Sequence, residues 1–154
     1  MTEDERLAQL TEQEERLQFT RFDNETALAL GTQLLAAARE RGLPVTVSVR
    51  RNGQRLFHAA LPGTSADNDA WIDRKSRVVD RYGHSSFLVG TQFRAKGGSF
   101  DTDSRLDRDT HAAHGGVFPV IVRDVGVVGT VGVSGLPQAD DHAFVVEQLE
   151  IFLG

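Results

Sequence analysis

Asp107, His111 and His114 carry the sharpest chemical spacing in the chain. On a helix they fall at i, i+4 and i+7 of one face, where a carboxylate and two imidazoles can converge on a divalent metal. The same stretch also reads as a helix cap followed by surface histidines beside the Gly115-Gly116 turn. There is no cysteine, and Met1 is the one methionine. Disulfides, thiolate metal sites and thiol nucleophiles are thereby excluded. A transition metal would depend on the five histidines, the carboxylates or Tyr82.

A second group suits a small ligand. Trp71, Phe87 and Phe118 offer apolar walls near glycine-rich turns, and Arg74 or Arg77 an anion contact. His58 joins them as a candidate from a neighbouring hairpin. Arg74, Arg77 and Arg81 share a helix stripe, which equally describes a solvated face or ion pairs to another subunit. Three other chemistries fail on spacing. A calcium loop from Asp101 would need glycine where Leu106 stands and glutamate where Ala112 stands. Gly132-Val133-Ser134-Gly135 places its second glycine one position early for a nucleophile elbow. The glycines from Gly126 to Gly135 lack the Gly-Lys-Ser/Thr ending of a phosphate loop.

These residues must be positioned by elements that the apolar periodicity marks out. Residues 3–20 read as a helix with Leu7, Leu10 and Leu17 on one stripe, interrupted by Glu14. A second helix starts at Asp23 or Asn24, carries Ala27, Leu30, Leu34 and Ala38, and stops at Gly42 before Pro44. Residues 45–61 form a hairpin whose Asn52-Gly53 turn sets the register, with Val49 opposite Leu56 and Val47 opposite His58. His58 is then expected on the valine face, half-buried, with Phe57 and Ala59 on the other face. A helix over about 67–82 ends at Gly83, and a shorter one from Ser85 or Ser86 stops at Gly97-Gly98. A helical turn from Asp107 to His114 precedes a second hairpin, Val117–Val122 and Val125–Ser134. A closing helix is capped by Asp140 or Asp141. Hairpins between helices make an antiparallel sheet covered on both faces the simplest packing, an α/β (α+β) arrangement.

At 154 residues the chain has the size of one domain, with an N-terminal amphipathic helix at 1–20, an arm or an edge helix, ahead of a body at 21–154. Residues 1–25 hold eight acids and three arginines, whereas residues 74–96 hold six bases and one acid. No basic field suited to nucleic acid covers the whole chain. The longest apolar run, Val117–Val122, has six residues and cannot span a bilayer. Without a basic, apolar leader the expected location is cytoplasmic. The asymmetric charge suits self-association or a protein partner.

Several segments together resemble one family: Phe22-Asp23-Asn24, Leu61-Pro62-Gly63-Thr64-Ser65, Asp67-Asn68-Asp69-Ala70-Trp71 with Arg74-Lys75, and Gly83-His84-Ser85-Ser86. His114-Gly115-Gly116-Val117-Phe118-Pro119 and Val133-Ser134-Gly135-Leu136-Pro137 with Asp140-Asp141-His142 complete the pattern. It resembles the haem-degrading-domain superfamily of GlcG-like and HbpS-like proteins, more narrowly a branch of short cytosolic proteins with a yeast member. The resemblance implies a profilin-like α/β/α sandwich with about five antiparallel strands, and homo-oligomers. It also raises haem as a ligand. Three functions remain open at this level: an oligomeric small-ligand or haem-related binding module, a haem-degrading or metal-assisted oxidative enzyme, and an assembly or adaptor protein.

Overall fold

The structure, a computed structural model, describes residues 1–154. In chain order the elements are α1 (Glu3–Arg16), α2 (Asn24–Glu40), β1 (Thr46–Arg51), β2 (Gln54–Ala60), α3 (Ala66–Tyr82), α4 (Ser86–Ala95), α5 (Phe100–Asp103), β3 (Val117–Val122), β4 (Gly126–Ser134) and α6 (Gln138–Leu153). Local chemistry starts most of the helices. Asp23 caps α2 through the Thr26 N–H, Ser65 and Asn68 form a reciprocal box at α3, and Ser85 accepts from Leu88 N–H at α4. Gly83 stops α3 in the left-handed conformation, at φ 72°.

The strands form one antiparallel sheet in the order β2-β1-β4-β3. Its valine face, including Val47, Val49, Val131 and Val133, buries against Leu30 and Leu34 of α2 and Val145 and Leu149 of α6. α3 covers the other face, with α4 and α5 beside it. The layers are therefore those expected of an α/β/α sandwich, but the sheet has four strands, not five. In place of a fifth, Phe19 makes a single parallel bridge to Val122, its N–H donating to the Ile121 carbonyl and its carbonyl accepting from Arg123.

That bridge also shortens the first helix, which ends at Arg16 and not at residue 20. Leu17 and Phe19 bury in the main core, and a continued helix could not deliver both there and pair with β3. Glu14, which breaks the apolar stripe of α1, is itself buried and satisfied. One carboxylate oxygen meets His84 Nδ1 at 2.7 Å, and the other accepts from Ser85 N–H at 2.8 Å. It thus ties α1 to the start of α4, under which Leu10, Phe87 and Leu88 pack.

The first hairpin corrects the expected register. Arg51 pairs with Gln54 across the Asn52-Gly53 turn as expected, but a bulge follows, so Val49 pairs with Phe57 and Ser48 with His58. One extra residue exchanges the faces of the outer part of β2. Phe57 turns towards α2, where its ring occupies the space left by Gly31. His58 leaves the valine face for the α3 side and meets Asp69 at 2.6 Å.

Candidate functional site

A polar cleft of about 270 Å³ opens where the start of α3, the end of β4 and the start of α6 meet. Asp67, Asn68, Trp71 and Lys75 come from α3, Ser134 and Gly135 from β4 and its exit, and Gln138 and Asp141 from α6. His114 closes one side, its ring 5.3 Å from that of Trp71 and steeply inclined to it. The Arg74 guanidinium lies 4.1 Å from the Trp71 ring centre, a cation–π contact at the rim.

The floor is a buried ion pair. Lys75 is 3% exposed; its Nζ donates to the Gly115 carbonyl at 2.9 Å and the Val133 carbonyl at 3.5 Å, and pairs with Asp141 Oδ2 at 3.3 Å. Asp141 Oδ1 accepts from Leu136 N–H at 3.0 Å. Burial lowers the Lys75 ammonium from its usual range, against the pull of Asp141. The same burial raises the Asp141 carboxyl to about 6, against the pull of Lys75 and the backbone N–H groups. Gly116 makes this packing possible: at φ 138° a side chain there would be strained, and its Cβ would lie 2.5 Å from Lys75 Nζ.

Asp141 does not serve as the cap of α6. The residue before that helix is Pro137, no side chain caps it, and the Asp141 carboxylate turns back to Leu136 and Lys75. Around the cleft several polar groups remain available. Asn68 and Gln138 each spend the side-chain carbonyl on a backbone N–H, of Ser65 and Gly115 respectively, leaving their NH₂ groups for a ligand. Burial, reinforced by Lys75, Arg94 and Arg74 and opposed by Asp101, lowers His114, so its imidazole is neutral near pH 7.

Against known proteins, residues 22–150 match the family described as haem degrading protein HbpS-like. The chain belongs to the HbpS-like family. A UPF0303 protein of Streptomyces coelicolor is 62% identical over 148 residues, 96% of this chain and 94% of the relative. Ybr137w protein, a solved structure, shares 31% identity with a TM-score of 0.87, over 95% of this chain and 87% of that one. The crystal structure of HbpS aligns with a TM-score of 0.66 at 21% identity, over 89% of this chain and 93% of that one, a likeness of fold.

Within this HbpS-like fold the residues singled out by sequence are dispersed. Of the six candidate pocket residues only Trp71 lines the cleft, with Arg74 stacked behind it. Arg77 donates to the Thr110 carbonyl at 3.1 Å, away from the cleft. Phe87 packs with Leu10 and Leu88, Phe118 is buried in the main core, and His58 is tied to Asp69. Apolar walls were expected there because aromatic side chains flank the glycine turns; in the fold those aromatics are core.

The metal set is not assembled either. Backbone bonding from Asp107 supports one turn, to Thr110 and His111, and then the chain leaves helical geometry. Ala112 N–H donates to the Arg74 carbonyl instead, and the Ala113 carbonyl sits against Gly90. His111 Nδ1 meets Thr110 Oγ1 at 2.8 Å while His114 turns to Trp71, and no three His, Asp or Glu side chains group to hold a metal. Sequence reasoning missed the Lys75–Asp141 pair as a site. The available signal was a lysine, one of two in an arginine-rich chain, set in the apolar row with Ile72, Val78 and Val79.

Proposed function

We propose that the protein is a binding module for a small polar molecule, held in the cleft between α3, β4 and α6. The carrying observation is the cleft itself: donors from Asn68 and Gln138 and a neutral His114 converge beside Trp71 over a buried Lys75–Asp141 floor. Such convergence of a few polar groups in a concave site is the general signature of small-ligand recognition. A carboxylate- or carbonyl-bearing molecule matches these donors in kind.

Haem is the ligand that the family description raises, and the residues of a single chain fit it poorly. A porphyrin wants apolar walls and an axial donor together. His114 supplies an imidazole, but Trp71 and Leu136 are the only apolar residues lining the cleft. The larger apolar groove, about 510 Å³ between the end of α2 and the Ala59–Pro62 segment, contains no histidine or tyrosine. Self-association is part of the same reading, supported by the outer edge of β2 and by the exposed Leu28, Val125 and Ile151. An adaptor role has less support, since α1 lies packed on α4 through buried Leu10 and does not project as an arm.

Trp71 is the one tryptophan, so its emission reports on the cleft without labelling. Titration with a panel of small carboxylates and carbonyl compounds should quench it and raise the melting temperature, with both effects weakened in Gln138→Ala and His114→Ala. A haemin Soret shift lost in His114→Ala, with no small-molecule effect, would overturn this reading in favour of haem. Native mass measured alongside tests the oligomer.

A further inference from the structure

We propose that Lys75 captures small carbonyl compounds covalently, as an imine, at the floor of the cleft. The inference rests on the binding reading of that cleft and adds the identity of the reacting atom. Three geometric features point to it, and burial adds a fourth. Lys75 Nζ is a primary amine at the end of a cleft lined mostly by hydrogen-bonding groups. A carboxylate, Asp141 Oδ2, stands 3.3 Å away, close enough to exchange a proton with it. The Gly115 and Val133 carbonyls, at 2.9 and 3.5 Å, hold the nitrogen in place whichever partner has the proton. Burial shifts both members of the pair towards their neutral forms, the combination that exposes an amine lone pair.

The step balances without an oxidant or reductant. The ammonium passes a proton to Asp141, and the freed lone pair forms a bond to the carbonyl carbon as the π electrons move to oxygen. That oxygen receives the Asp141 proton. A second proton from nitrogen follows, and the oxygen leaves as water. One proton stays on the nitrogen, so the protonated imine keeps the positive charge beside Asp141 and can still donate to the Gly115 carbonyl. In a purely structural role the same lysine would only tie β4, the Gly115 turn and α6 together, and would not react.

The composition makes the test clean. Lys75 and Lys96 are the only lysines, so Lys96 and the Met1 amine are internal controls. The full chain is incubated at neutral pH with pyruvate, or with acetaldehyde as an uncharged arm, in the presence of cyanoborohydride, and the adduct is mapped by peptide mass spectrometry. Lys75 should be labelled several-fold faster than Lys96, since burial beside a proton-accepting Asp141 raises the fraction of its amine that is neutral. Asp141→Asn should slow labelling at Lys75 and leave Lys96 unchanged, and Lys96→Arg should leave Lys75 labelling intact. Because the adduct is mapped on the unaltered chain, the outcome does not depend on whether a chain substituted at Lys75 folds.

Labelling at Lys96 and Met1 alone would overturn the proposal. If pyruvate still quenches Trp71 emission without reductant, the cleft binds and only the imine falls. If neither quenching nor a Lys75 adduct is seen with either compound, the binding reading falls with it.

Discussion

Gly31 and Phe57 offer the most direct test of why the first hairpin bulges. A Cβ added at Gly31 would lie 2.2, 2.4 and 2.7 Å from three carbons of the Phe57 ring, well inside contact distance. Gly31 lies in the interior of α2, where alanine would normally gain about 1 kcal/mol in helix propensity. Overpacking against the ring opposes that gain with a cost of about 1–3 kcal/mol. Gly31→Ala should therefore destabilise the otherwise unaltered chain. In a Phe57→Ala background the ring is gone, and the same substitution should stabilise by about 1 kcal/mol. The coupling between the two sites is then the overpacking cost itself, about 1–3 kcal/mol, beyond the ~0.5 kcal/mol scatter of independent positions. Urea denaturation of the four variants measures it, provided m is unchanged. Additive effects, or stabilisation by Gly31→Ala alone, would refute the claim that this glycine accommodates the inverted face of β2.

Two further perturbations probe the polar ties of α1. Glu14→Gln removes the charge from the hydrogen bonds to His84 and Ser85 and should cost about 1.5–3 kcal/mol, with faster amide exchange in α1 and the first turn of α4. The Glu14 hydrogen bond raises His84 above 6.5, so its contribution is complete below that value and disappears as pH rises through the raised one. The difference between the unaltered chain and Glu14→Gln should shrink accordingly; a pH-independent difference would dismiss the pairing. His142 is buried with Nε2 at 2.8 Å from Gln13 Oε1, and burial together with Arg6 lowers it to about 4. Its folded form binds fewer protons, so stability is present above 6.5 and is lost as pH falls towards 4, by about 3 kcal/mol. His142→Phe should flatten that loss, read as the variant's stability relative to the unaltered chain across the same range. Asp141, raised to about 6, acts in the opposite sense in both proteins and cancels from the comparison.

Much of the secondary structure is legible because its causes are local. Asp23, Ser65 and Ser85 cap the helices that follow them, Gly83 ends α3, and Asn52-Gly53 turns the first hairpin. The alternation of Val45, Val47 and Val49 is enough to place one face of β1 in the core. The fold class follows from the order of those elements, and the family from segments spread along the chain. The candidate site is less legible. Trp71 is found, but Phe87 and Phe118 look the same in sequence whether they line a ligand pocket or fill a core, and here they fill the core.

Tertiary structure decided the rest by competition for space and partners. Residues 107–114 hold a spacing that suits a metal only if the chain stays helical, and the Ala112 N–H finds its acceptor on α3 instead. Residues 17–20 continue a helical pattern, yet burial of Leu17 and Phe19 beside β3 outweighs another turn of helix. The hairpin turn set the first two pairs of the register, but the bulge that follows seats the Phe57 ring in the space at Gly31, on a different element, and puts His58 on the opposite face. Lys75 sits in an apolar row of α3, and only the meeting of that row with the Gly115 turn, β4 and Asp141 makes a buried amine tenable and places it in a cleft. A sequence records which groups a residue could satisfy; the packing of distant segments determines which of them it meets.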